Sequence, residues 1–145
     1  MEEYAIISEE SMNIVQEFIV FLKSSVVNMA TLHRNLVGDN WFVIHEILGE
    51  YYEKLNDFED EIVEGLIGGG FKDKSLRGSE EIIEVKDFTA NEALDIAQKI
   101  FATLSEGVAS LINMVGMPVG LNAVFDEFQK WLHIEGNYKL GQKRK

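Results

Sequence analysis

Cysteine is absent from this chain, which excludes a disulfide framework and a thiolate metal site and leaves imidazole and carboxylate as the only strong metal ligands. Proline occurs once, at Pro118, so long stretches run free of helix breakers. Positive charge is scarce, with 13 basic against 25 acidic residues and a net charge of −12. Such a surface repels polyphosphates and argues against a general nucleic-acid binder. The exception is the C-terminal cluster Lys139, Lys143, Arg144 and Lys145, which reads as a solubilising end or a weak DNA contact. No apolar run reaches membrane-spanning length, and the opening Met-Glu-Glu-Tyr lacks the positive charge of a signal peptide. The expectation is a cytoplasmic protein that does not meet a membrane. Internal repeats and low-complexity segments are also missing.

What is present suits a single domain over residues 1–145: the length allows one core, and 46% of residues are hydrophobic. Four stretches carry helical periodicity. The first, about Glu9 to Val37, aligns Ile14, Phe18, Phe21, Leu22, Met29, Leu32 and Leu36. A Gly38-Asp39-Asn40 turn follows, with Asp39 or Asn40 expected to cap the next helix. That helix, about Trp41 to Ile67, aligns Ile44, Leu48, Tyr51, Leu55, Phe58, Ile62 and Leu66, and Gly68-Gly69-Gly70 ends it. Lys74 to Ile83 reads as a short helix inside the crossover. Thr89 and Glu92 form a capping box for a third helix with the stripe Ala93, Ile96, Ile100, Leu104, Val108, Leu111 and Val115. The fourth spans about Leu121 to Leu140. Short, long and short connections in that order predict an all-α, ferritin-like four-helix bundle.

Two of the three histidines flank the first turn. His33 and His45 are nearly equidistant from it, so a helical hairpin brings them side by side. Asp60 and Glu64, four apart, share one face of the second helix, turned away from its apolar stripe. Imidazole with carboxylate is a ligand set for non-haem iron and other first-row metals. His45 and Asp60, however, are separated by about 22 Å along one helix. One site can gather all four residues only if a two-fold partner brings its histidines to this chain's carboxylates. Residue types alone leave open a plain solvated face and histidines that merely pack. Trp41, Phe42 and Trp131 read as packing or subunit-contact residues, and His133 as structural. Tyr51 and Tyr52 face different sides, so at most one belongs to the core.

The run from His33 to Glu46, His-Arg-Asn-Leu-Val-Gly-Asp-Asn-Trp-Phe-Val-Ile-His-Glu, resembles a segment of the Dps family of mini-ferritins. There a His-Trp pair is followed by a glycine turn, two aromatics and Leu-His-Glu. Tyr52, Asp60 and Glu64 keep the same register without a gap. Gly68-Gly69, the stretch from Lys74 to Val85, and Trp131-Leu132 resemble later family features. The resemblance implies an intersubunit ferroxidase centre, with His33 and His45 from one subunit and Asp60 and Glu64 from its two-fold mate. It further implies that ferrous iron is oxidised there by hydrogen peroxide or oxygen. The ferric product would be stored in a hollow shell of twelve subunits built from two-fold dimers.

The sequence also departs from that pattern. The acidic residue usual one turn after the second histidine is Gly49, and neighbouring Glu50 points about 100° away. The tryptophan after the first histidine is Arg34, a cation beside the expected metal. Ala-Glu-Arg around the last ligand reads Val63-Glu64-Gly65, and no lysine-rich stretch precedes the first helix. DNA binding is therefore expected to be weak or absent. The alternative expectation is a Dps-like bundle that has lost ferroxidase activity and serves as a structural or interaction protein.

Overall fold

Two hydroxyl side chains set helix starts in this protein. Ser8 accepts a hydrogen bond from the Ser11 N–H at 3.0 Å and opens α1, Glu9–Arg34. Thr89 accepts from the Glu92 N–H while the Glu92 carboxylate receives the Thr89 N–H, a reciprocal box that opens α3, Ala90–Leu111. Both satisfy backbone donors that a helix start leaves without a partner. Between them, α2 spans Trp41–Gly68 and gives way to Gly70 at φ +105°, a left-handed backbone that favours glycine. α4 covers Val119–Leu132, continues as a π-helical segment over His133–Lys139 and closes with one turn at Leu140–Gln142. The computed structural model describes residues 8–71 and 82–142.

These elements form an all-α bundle of four helices. α1 packs against α2 and α3, α4 packs against the same two, and α2 and α3 lie diagonally with little contact. Phe18 of α1 meets Gly107 of α3, whereas Leu36 and Phe88 make a one-residue parallel bridge at the other end. α1 and α3 are thus antiparallel. Gly65 of α2 meets Leu121, and Phe58 stacks on Phe128 at 4.4 Å, so α2 and α4 are antiparallel as well. α2 and α3 consequently run the same way, and the connection between them returns along the bundle. Buried Asn28 of α1 receives the Ile83 N–H at 3.0 Å on that return path. The core is mainly apolar, with Leu22, Met29, Leu48, Leu55, Ile62, Leu104, Phe125 and Phe128 fully enclosed and Ser24, Ser25 and Asn28 of α1 buried at its side.

Several boundaries differ from those expected of the sequence, each for a local reason. α1 stops at Arg34 because the Val37 N–H is donated to the Phe88 carbonyl and the Asn35 carbonyl receives the Phe88 N–H. Asn40 does not cap α2 with its side chain; it sits at φ 63° and closes the turn, a conformation that asparagine tolerates better than most residues. α3 ends at Leu111, and Val115 is 71% exposed in the following loop, where Asn113 turns at φ 63° and gives its N–H to Asn122. On α1, Val15 and Ile19 are enclosed and Ile14 is exposed, a stripe one residue removed at its start. The crossover helix expected at Lys74 to Ile83 falls outside the described residues, except for Ile82 and Ile83, which are not helical. α1 is, by length and composition, apolar enough to cross a bilayer, but 56% of that window is buried within the bundle.

Gly107 and Gly120 give a paired test of the packing. A Cβ at Gly107 would lie 2.5 Å from the Phe18 ring, whereas one at Gly120 meets nothing within 4 Å. Helical Gly→Ala gains about 0.5–1 kcal/mol where space allows, and overpacking a core costs about 1–3 kcal/mol. Gly120→Ala is expected to stabilise the fold and Gly107→Ala to destabilise it, as read by urea unfolding.

The capping box adds a pH dependence. The Thr89 backbone N–H and hydroxyl hold the Glu92 carboxyl below its ordinary value of 4.5. Stability from this box is present above the unfolded value and fades as pH falls through the lowered one. Thr89→Ala is expected to cost about 1 kcal/mol near pH 7 and less in acid, measured by denaturation at several pH values.

Candidate metal centre at the first interhelical turn

His33 stands in the last turn of α1 and His45 in the first turns of α2, joined by the turn in which Gly38 adopts φ +92°. Their rings stack with centroids 3.9 Å apart and planes inclined by 15°. Each ring also bonds to the other residue's backbone: His33 Nδ1 lies 2.8 Å from the His45 carbonyl oxygen, and His45 Nδ1 lies 2.8 Å from the His33 carbonyl oxygen. A carbonyl oxygen can only accept, so both Nδ1 atoms must carry hydrogen. In the neutral rings the lone pair is then left on Nε2, the arrangement by which a histidine is oriented toward a metal. Trp41 covers the remaining face of His45 at 4.4 Å and 12°, making a three-ring column that is 41% exposed at Trp41.

The stacking limits what the pair can coordinate. A metal lies close to the plane of the imidazole that binds it, at about 2.1 Å from the nitrogen. Nearly parallel planes 3.9 Å apart do not converge within that distance, so the two rings cannot chelate one ion in this arrangement. Each histidine can serve an ion of its own.

Gly49 explains the absent carboxylate one turn beyond His45. A Cβ there would stand 2.9 Å from His33 Cε1 and 3.2 Å from His33 Nδ1. The His33 ring occupies the space that an aspartate would need. Glu50 is no substitute: it borders a separate pocket with Tyr51, Glu135 and Lys139. The Arg34 guanidinium lies over the Tyr52 ring, 5.6 Å from its centroid.

Asp60 and Glu64 are both exposed and lie farther along α2. The structure unites His33 with His45 and keeps the two carboxylates about 22 Å or more down the same helix. Among the described residues, no three His, Asp or Glu side chains gather within one chain as a metal group. With this geometry in view, neither a scan against protein-family models nor a search of curated proteins finds a match to the chain.

Two polar arrangements were not foreseen from the sequence. Tyr51 is buried beside Glu135, and Glu135 pairs with Lys139 at 2.9 Å. Burial, followed by the Glu135 charge, pushes the Tyr51 hydroxyl well above its ordinary value. Lys139 therefore belongs to a helical ion pair rather than to a free basic tail. His133 accepts from or donates to Ser105 at 3.0 Å and ties the start of the π-helical segment to α3, in keeping with a structural role. Trp41, by contrast, covers His45, a contact readable only from its i,i+4 spacing on α2.

The reciprocal bonds make a direct spectroscopic prediction. In the neutral protein, long-range 1H–15N spectra of the imidazoles are expected to show the Nδ1–H tautomer for both His33 and His45. Gly49→Ala is expected to abolish this pattern for His33 by displacing its ring. An Nε2–H tautomer at either residue in the unmodified protein would contradict the geometry.

Proposed function

We propose that this protein is a ferritin-like, Dps-type iron protein whose oxidation site is shared between two copies of the chain. The observation that carries the reading is the pair of locked histidines, each with Nε2 left as its basic nitrogen. The direction of the four helices supports the ferritin-like assignment, because a long second connection that leaves α2 and α3 parallel is the feature that separates such bundles from simple up-down ones. The resemblance of the His33–Glu64 stretch to the Dps family adds to it.

In this reading His33 and His45 of one copy supply nitrogen, and Asp60 and Glu64 of its two-fold mate supply oxygen, to ferrous iron as substrate. Imidazoles that cannot share an ion favour two ions per site. Two ions give up two electrons, which is what hydrogen peroxide takes: two Fe2+, one H2O2 and two protons yield two Fe3+ and two waters. The carboxylates balance the growing positive charge, and the half-buried histidines hold their ions at the edge of solvent where oxidant can arrive. Ferric product would collect inside a cytoplasmic shell of twelve chains assembled from such dimers. A second reading, a shell or dimer without iron chemistry, is favoured by Gly49 and by Arg34, the residue that follows His33 in the chain.

Mixing variants tests the shared site. Chains carrying His33→Ala/His45→Ala and chains carrying Asp60→Ala/Glu64→Ala are each expected to lose ferrous oxidation. Co-assembled in equal amounts, they should regain about a quarter of the normal rate, because about half of the pairs are mixed and each mixed pair restores one of its two sites. Recovery is read by absorbance of ferric product after peroxide addition. No recovery in an assembled mixture would refute a site shared between copies, and an unmodified shell that oxidises no iron would favour the second reading.

A further inference from the structure

Beyond the histidine turn, a cavity gathers charged and apolar side chains from separate parts of the chain. Ile47, Glu50 and Tyr51 line it from one face of α2, at spacings of three and four. Leu94 of α3 forms another wall, and Glu135, Lys139 and Leu140 enter from the π-helical segment and the turn after it. α2 and α3 lie diagonally with little contact, and this segment spans the gap between them. The enclosed volume is about 270 Å³, near the lower end for small-molecule sites. Widened π-helical turns recur at functional sites, and this one carries two of the charged groups in the cavity.

We infer that this cavity binds a small primary ammonium ion carrying a short aliphatic chain. The site shares no residue with the proposed iron centre and does not depend on it. Its charge selects the ligand. Two carboxylates, Glu50 and Glu135, border it against one ammonium, that of Lys139. Lys139 pairs with Glu135 at 2.9 Å, and among the described residues Glu50 has no ion pair of its own. One negative charge is left over, which a single monovalent cation balances. An anion would meet both carboxylates. A divalent metal would feel twice the repulsion from Lys139 and find few oxygen ligands. A neutral apolar molecule would take water from the carboxylates and return no charge to them.

The walls supply what the charge does not. Tyr51 is 4% exposed, and only 15% of the Glu135 side chain reaches solvent, so both are held in the lining rather than on the surface. Burial, followed by the Glu135 charge, keeps the Tyr51 hydroxyl protonated, and its neutral oxygen can accept an N–H. Glu50 is exposed and marks the rim by which a cation arrives. Ile47 and Leu94 are half-buried and Leu140 is buried, giving an apolar bed for a short alkyl chain. A chain of net charge −12 attracts cations over its whole surface. The apolar bed beside an unbalanced carboxylate is what sets this cavity apart from that general attraction.

Titration of the full chain with n-butylammonium chloride, followed by methyl NMR, tests the site. Saturable shifts of the Ile47, Leu94 and Leu140 methyl groups are expected. Ammonium chloride lacks the alkyl chain and n-butanol lacks the charge, and each should bind at least about tenfold more weakly. Glu50→Gln, at an exposed position, is expected to weaken butylammonium binding by about tenfold or more while thermal unfolding stays unchanged. Glu106→Gln removes the same charge about 18 Å along α3 from Leu94 and should leave binding as it was. Equal weakening in the two variants would reduce the effect to general attraction and overturn the inference. So would n-butanol binding as tightly as the amine, or shifts that never saturate. Magnesium ion saturating these shifts where butylammonium does not would overturn it as well, in favour of a metal.

Discussion

The paired imidazole-to-carbonyl hydrogen bonds of His33 and His45 couple the shape of a turn to the chemistry of its side chains. The His33 carbonyl is among the last four of α1, which have no partner within the helix, and the His45 ring satisfies it. His33 returns a bond to the backbone of α2. Each bond is worth on the order of 1 kcal/mol, and together they set the distance between the two helix ends and the direction of both Nε2 lone pairs. The stack with Trp41 adds rigidity from the outer side. Had either ring turned over, the turn would lose a cap and the candidate site a ligand. Stability and ligand orientation therefore come from the same contacts, as expected of a preorganised site.

The rest of the bundle holds this turn in place by close approach of small residues. Gly49 admits the His33 ring, Gly65 admits Leu121 and Gly107 admits Phe18, each where a Cβ would collide. The contacts lie on α2 against α1, α2 against α4, and α3 against α1, so three of the four helix interfaces are set partly by a missing side chain. At Gly49 the packing that admits the His33 ring also leaves no room for a carboxylate. The His33 ring takes the volume that any side chain at position 49 would need.

Much of this could be read in the sequence, and the limits are instructive. Periodicity at four and three found all four helices, and the Thr89–Glu92 spacing located the start of α3 to the residue. Equal distance from Gly38 was enough to bring His33 and His45 together. Spacing could not show that the rings stack or bond to backbone, because that depends on rotamers and on the close approach permitted by Gly49. The end of α1 was misplaced because its competitor, Phe88, lies far away in the chain. The π-helical segment left a faint trace: Phe128, Leu132, Gly136 and Leu140 are all buried at consecutive steps of four, a run that drifts off one face of an ordinary α-helix. Gly136, pressed against Phe101, and the bond from Gln98 to its carbonyl accompany the widened turn.

The return of the chain along α1 bears on how the molecule forms. α1 with α2, and α3 with α4, are hairpins whose ends are joined by short links and whose contacts are close in the chain. The Asn28–Ile83 bond, by contrast, joins groups 55 positions apart. Closing so large a loop costs entropy that the local contacts within each hairpin do not. The entropic cost of assembly is thus concentrated where the two hairpins meet, whereas the histidine turn is built from contacts close in the chain and belongs wholly to the first half.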